Sequence, residues 1–247
     1  MKLIIDENKD YIIPSNTDVE ILVKKNISAN LIEKNNDNRT INIELEDNSN
    51  INYLSIDLAK DTTKTITLNN DSTLNMITSN FNGGNKLLNV YLNKENATYN
   101  LKSIIMMKND TDKEILNVYH NEKNTTSLIE NYITSNNAKI NIDVVGKIEK
   151  NKSNSNCVQK SRGIILSSNA NILVKPVLLI DEYDVKASHG CAIGKIDEEG
   201  LYYLMSRGLT KKDAEMLIVK GFLSPILNNI KDESLKDELI KLQDERL

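Results

Sequence analysis

Short runs that alternate apolar and polar residues constrain this chain most: Ile41-Asn42-Ile43-Glu44-Leu45, Ile51-Asn52-Tyr53, Thr65-Ile66-Thr67-Leu68, Leu74-Asn75-Met76 and Ile140-Asn141-Ile142-Asp143-Val144. A period of two sends successive side chains to opposite faces of an extended backbone, so each run reads as a half-buried strand. The runs recur at roughly ten-residue intervals with polar turns between them. No helical period separates them, which disfavours a doubly wound α/β fold.

A weak internal repeat narrows the choice. Asn96-Ala97-Thr98-Tyr99-Asn100-Leu101 resembles Asn137-Ala138-Lys139-Ile140-Asn141-Ile142 and Asn169-Ala170-Asn171-Ile172-Leu173-Val174, with Asp71-Ser72-Thr73-Leu74-Asn75-Met76 as a looser copy. Such a repeat fits a β-solenoid in which each coil buries its apolar face against the next. Asn at the corners tolerates a left-handed backbone and hydrogen-bonds its own turn. A β-sandwich with similar hairpins is the competing architecture. Asparagine pairs crowd the chain up to Asn171, and the composition changes near residue 195; part of the Asn, Lys and Ile richness is also what an AT-rich genome would produce.

Beyond that change the signals are helical. Asp197-Glu198-Glu199 precedes Leu201, Tyr202, Leu204 and Met205, and Gly208 supplies a stop. Thr210 with Asp213 forms a capping box for a second helix with Ala214, Leu217, Ile218 and Met216 on its apolar face, ending at Gly221. Ser224-Pro225 and Ser234 with Asp237 offer further starts. The expected organisation is therefore a β core over 1–195 and a helical region over 196–247, with three or four short helices whose apolar faces pack on the core or on a partner.

The 247 residues carry a formal net charge of -4, with no basic footprint for nucleic acid. The N-terminus reaches Asp6 and Glu7 before an apolar run of signal length, and no stretch approaches a membrane span, so a cytoplasmic location is expected. Two cysteines, Cys157 and Cys191, then read as reduced thiols. Walker and Rossmann glycine patterns are absent, and Asn82-Gly83-Gly84-Asn85 reads as a hairpin or corner turn. No enzymatic activity is expected.

One pair stands out chemically. His189 and Cys191 lie two residues apart, and imidazole nitrogen and thiolate sulfur suit iron or zinc. They supply half of a tetrahedral site, so further ligands would come from elsewhere in the chain or from a second subunit. Burial of His189 as a structural residue is the bland alternative. Cys157 either packs as a small apolar group or is brought by the coil near Cys191. His120, after Ile115-Leu116-Asn117-Val118-Tyr119, reads as a surface or turn residue. Ser188 and His189 point to opposite faces of a strand, which disfavours a nucleophile–base pair.

Pro176 to Ile180, Ser188-His189-Gly190, Leu201 to Gly208 and Gly221-Phe222 together resemble the SufB/SufD scaffold family of the SUF iron–sulfur cluster assembly system, over about residues 115 to 230. The Ser-His-Gly form is SufD-like; SufB forms carry a glutamate at the position of Gly190 and a cysteine near that of Lys160. The resemblance implies a right-handed parallel β-helix and dimerisation through strands near the motif, with an identical chain or a SufB-type chain. It further implies docking of a SufC-type ABC ATPase on the C-terminal helices, and His189 with Cys191 holding iron or a transient iron–sulfur cluster, with no stable cofactor as the alternative. Typical SufD proteins carry a long helical N-terminal region that does not precede these strands, which suggests a minimal system with one homodimeric scaffold. A non-catalytic, polymerising β-solenoid is the competing function.

Overall fold

The computed structural model describes residues 1–247. Strands follow one another as β1 (Lys2–Ile5), β2 (Asp10–Ile13), β3 (Val19–Val23), β4 (Ser28–Asn35), β5 (Arg39–Leu45), β6 (Asn50–Asp57), β7 (Asp61–Leu68) and β8 (Thr73–Asn80). The series continues with β9 (Gly84–Leu92), β10 (Thr98–Lys108), β11 (Thr111–His120), β12 (Thr126–Asn136), β13 (Lys139–Ile148), β14 (Asn156–Ile165), β15 (Asn171–Ile180) and β16 (Lys186–Lys195). Three helices end the chain: α1 (Glu198–Ser206), α2 (Lys211–Leu227) and α3 (Glu233–Arg246).

The odd-numbered strands form one eight-stranded parallel sheet and the even-numbered strands another, each strand pairing with the strand two places along the chain. This is a parallel β-helix of two-strand coils. The four copies of the repeat precede or enter β8, β10, β13 and β15, so they fall on both sheets: the unit that repeats is a corner plus a strand, half a coil. The hairpin-linked sandwich is thereby replaced by corner-linked parallel strands.

The corners explain the asparagines. The non-glycine residues with positive φ are Asn16, Asn26, Asn48, Asn96, Asn109, Asn124, Asn137, Asn151, Asn154 and Asp71. Short polar side chains tolerate this left-handed conformation best after glycine. Gly84, at the corner between β8 and β9, has φ +147, and a Cβ there would lie 1.9 Å from the carbonyl oxygen of Lys60. Only glycine lets these backbones approach so closely.

Inward positions of both sheets supply one apolar cluster that runs from Ile5 to Ile172. Within it Gly146 of β13 makes room for Cys157 of β14: a Cβ at Gly146 would stand 2.5 Å from the Cys157 sulfur. The interior also holds charge. Glu33 receives hydrogen bonds from Arg39, Tyr53, Ser55 and Lys64. Burial alone would raise its carboxyl, but the charge and hydrogen bond of Lys64 with those of Ser55 and Tyr53 hold it at about 2. Further along, Asn80 donates to Asp112 at 3.2 Å and Glu114 at 2.8 Å, while Lys86 lies 3.5 Å from Asp57. Burial first, then the neighbouring Glu114, pushes Asp112 up to about 9. Glu33, Asp57, Asp112 and Glu114 face Arg39, Lys64 and Lys86, so the interior is neutral when the Asp112–Glu114 pair keeps one proton.

The helices depart from the sequence expectation. α2 is continuous through Gly221, Ser224 and Pro225 and does not end and restart there. Pro225 cannot bond the Gly221 carbonyl, but the Ser224 hydroxyl takes that carbonyl at 2.8 Å. Burial of Val219, Leu223, Ile226 and Leu227 against Ile56, Ile104 and Met106 on the outer face of the even-numbered sheet then holds the helix together. Its buried face accordingly keeps Ala214 but leaves Leu217 exposed. α3 is capped by Asp232, not Ser234. Arg246 fastens it to the Phe81 carbonyl at 2.9 Å and to Asn82 at 2.6 Å. α2 and α3 thus cover a flank of the solenoid and leave its last coil open, with α1 largely exposed.

Two outcomes follow from the interior. Gly146→Ala is expected to lower stability by about 1–3 kcal/mol through overpacking, and Cys157→Ala in the same chain should restore most of it, as read from urea midpoints. The folded chain also holds a proton on the Asp112–Glu114 pair that the unfolded chain has released, at pH values from the ordinary carboxylate range up to about 9. This contribution is full below the ordinary carboxylate range and is lost as pH rises through that window. Asp112→Asn should therefore be less destabilised than the parent on going from about pH 5 to about pH 9; equal pH dependence would show that no proton is held.

Candidate functional site

β15 and β16 are the edge strands of the two sheets at the same end of the solenoid, and no strand pairs beyond them. An unpaired edge is a ready site for pairing with another chain. The end is also apolar: Leu173, Val177 and Leu179 on the outer face of β15 are exposed.

His189 and Cys191 lie in β16, both exposed. Pairing with β14 sets their direction, because in a parallel ladder opposed residues share a face. Gln159 opposes His189, Ser161 opposes Cys191 and Gly163 opposes Ile193. The Gly163 Cβ direction leads to Ile172 and Ile193 side chains, which pack on the interior cluster. His189 and Cys191 therefore project over the mouth of the interior, on one face and about 7 Å apart at Cα by strand rise. Ser188 takes the other face, so it forms no pair with His189. Partial burial pushes the Cys191 thiol up, so it favours the protonated form unless a cation or donor meets it.

The remaining sequence candidates fall elsewhere. Cys157 opposes Ala187, four residues along the strand from the partner of Cys191, roughly 13 Å away by strand rise. It is fully buried, and burial pushes its thiol up. The coil does not bring Cys157 beside Cys191, because the register of β14 and β16 fixes the separation. His120 is a correction: it ends β11 but is 1% exposed, with Nδ1 2.8 Å from Thr125 Oγ1 and Nε2 2.9 Å from Ser127 Oγ. Its inward position in β11 overrides its polar loop neighbours, and burial pulls the imidazole down to about 4, so it stays neutral. Lys160 and Gly190 oppose each other on the outward face. No three His, Cys, Asp or Glu side chains come together to hold a metal, so any centre that used the imidazole of His189 and the thiol of Cys191 would need further ligands from outside this chain.

Sequence reasoning missed Gln159 and Ser161, the buried residues beneath the pair. Their signal was present in the alternation of Cys157-Val158-Gln159-Lys160-Ser161, but assigning them to His189 and Cys191 requires the 30-residue offset of this coil.

On α1, Tyr202, Tyr203 and Met205 are exposed, as is Leu217 of α2. No helix of the chain is long and apolar enough to cross a membrane.

Comparison with known proteins bears on this arrangement. Residues 6–222 match the family described as "SUF system FeS cluster assembly, SufBD core domain". The iron–sulfur cluster assembly protein SufD of Bacillus subtilis is 45% identical over 98 residues, 40% of this chain and 22% of that protein. SufD of Escherichia coli is 28% identical over 158 residues, 63% of this chain and 37% of its own length. An iron–sulfur cluster assembly SufBD family protein of Pyrococcus horikoshii is 44% identical over 89 residues, 35% of this chain and 19% of that protein. The chain thus aligns with well under half the length of each of these relatives. Because the family match includes nearly all of the β-helix, the His189 edge and α1 with most of α2, the chain belongs to the SufB/SufD core family of the SUF system.

Proposed function

We propose that this chain is a non-catalytic scaffold for iron–sulfur cluster assembly, which takes iron and sulfide at the open end of its β-helix when that end is paired with a second scaffold chain. The observation that carries this reading is an incomplete pair of soft ligands, His189 and Cys191, on an unpaired sheet edge flanked by exposed Leu173, Val177 and Leu179. Pairing β16 or β15 with a partner's edge strand would satisfy the free backbone groups and cover the apolar rim. It would also bring two His-Cys pairs together and supply the four ligands a soft metal centre wants. Iron and sulfide are then cargo held in transit.

The exposed aromatic face of α1 with Leu217 of α2 is the proposed dock for an ABC ATPase of the SufC type. Tyr and Met are favoured at such contacts because they bury large area. α2 and α3 grip the solenoid over several coils through Ile56, Ile104 and Met106, and the Phe222 ring meets Tyr132 of β12 at 5.3 Å. Movement of docked ATPases would therefore be delivered to the flank of the solenoid and carried to its end as a rigid-body displacement, opening or straining the paired edge.

Anaerobic co-expression with the host's ATPase, followed by size-exclusion chromatography with light scattering, is expected to give a complex with two scaffold chains. Filaments would favour the polymerising solenoid instead. Tyr202→Glu should abolish ATPase co-elution without changing the circular dichroism of the scaffold, and retained co-elution would move the dock away from α1. His189→Ala and Cys191→Ser, measured in the full complex, should each lose most bound iron and sulfide; unchanged content would remove these residues from the site.

A further inference from the structure

Beneath His189 and Cys191 lies a row of buried polar side chains with hydrogen-bonding capacity left unused. Gln159 is 1% exposed and Ser161 4% exposed. Gln159 Nε2 donates to the Val177 carbonyl of β15 at 3.3 Å, which fixes the amide with its nitrogen toward that strand. Its Oε1 is buried and has no partner. Buried acceptors without donors are rare in folded chains, because nothing replaces the lost water. The residue that opposes Gln159 in the final strand is His189.

The neighbouring column has the opposite polarity. Ser103 Oγ donates to Asn131 Oδ1 at 2.7 Å, and Asn131 Nδ2 donates to Ser161 Oγ at 3.1 Å. The donors run one way along the interior. Ser161 Oγ accepts a hydrogen bond from one side and keeps its own O–H for the other, where Cys191 opposes it. The Gln159 column is apolar further back, with Leu101 opposite Ile129 and Ile129 opposite Gln159. Polarity in that column begins immediately under His189.

An acceptor under the imidazole and a donor under the thiol is the pairing that two metal ligands require. A histidine that binds through one ring nitrogen presents N–H on the other and needs an acceptor for it. A thiolate only accepts, and an O–H donor steadies it. Building on the reading that His189 and Cys191 hold metal, we propose that Gln159 and Ser161 are their positioning residues. Gln159 Oε1 accepts the ring N–H of His189, which selects one tautomer and turns the other nitrogen toward the open edge. Ser161 Oγ–H donates to Cys191 Sγ. Neither residue touches the metal.

The test uses the full chain with ¹⁵N-labelled histidine. Long-range ¹H–¹⁵N correlation above the ordinary imidazole pKa reports the His189 tautomer in metal-free protein, and titration with Zn²⁺ alone reports affinity. The parent should show one tautomer. Gln159→Leu should return the ring toward the mixture of a free imidazole and weaken Zn²⁺ binding about tenfold. Ser161→Ala should weaken Zn²⁺ binding similarly, and Ser161→Thr, which keeps the hydroxyl, should not. A parent ring with the mixture of free histidine overturns the Gln159 assignment even if Gln159→Leu fails to fold. So does a folded Gln159→Leu chain with parental tautomer and affinity, and equal affinities of Ser161→Ala and Ser161→Thr overturn the role of Ser161. His189→Ala with undiminished Zn²⁺ binding would instead remove the metal reading, and a locked parental tautomer would then still sustain the hydrogen bond from His189 to Gln159.

Discussion

The rest of the structure depends on the in-register hydrogen bonding of each strand to the strand one coil away. Parallel ladders leave no freedom in which side chains meet: opposed residues share a face, and each inward residue becomes one step of a column through the interior. From Glu33 onward the column Glu33, Ser55, Thr78, Ser103, Asn131, Ser161 is polar at every step and arrives at Cys191, with apolar Ile13 before it. The adjoining column passes Tyr53, Met76, Leu101 and Ile129 before it reaches Gln159 and His189. What surrounds the final strand is thus decided by residues far away in sequence, and an insertion in one corner would reassign none of these partners as long as the ladder held.

The β body was legible because its determinants are local. Alternation at Ile41–Leu45 or Ile140–Val144 needs no knowledge of the partner strand, and Asn at corners such as Asn96 and Asn137 meets a backbone requirement of its own turn. The failures have the opposite character. Gly221 carries a local signal for a helix end and Ser224-Pro225 one for a new start, but contacts with Ile104 and Met106 of β10 outweigh them. His120 looked exposed beside a polar loop, yet strand parity in β11 turns it inward onto Thr125 and Ser127. His189 and Cys191 were legible as neighbours on one face of a strand, two residues apart, and the structure places both on the exposed edge strand β16. Gln159 and Ser161 were not legible beside them, since only the register between β14 and β16 connects the two pairs.

The buried polar groups also divide the molecule. The first coils hold a cluster of salt bridges around Glu33, saturated by Arg39, Lys64, Tyr53 and Ser55. Toward the last coil the interior polar groups are neutral amides and hydroxyls, and Gln159 Oε1 there has no partner. Saturated charge rigidifies a core, whereas a buried polar group left without a partner is costly. The interior thus passes from buried charge around Glu33 to neutral amide and hydroxyl groups at Asn131, Gln159 and Ser161.

Coil size changes in the same direction. Asp10 opposes Asn30, 20 residues on, while Gln159 opposes His189, 30 residues on; β1 and β2 span 4 residues each, and β15 and β16 span 10. The solenoid is a cone. A copy that offered its slender coils to the broad mouth would leave most of each edge strand unpaired, whereas a second broad mouth matches it along the full length. Taper of the ladder thus sets a mismatch in strand length between these coils and the broad end, which a joint between two broad ends does not have.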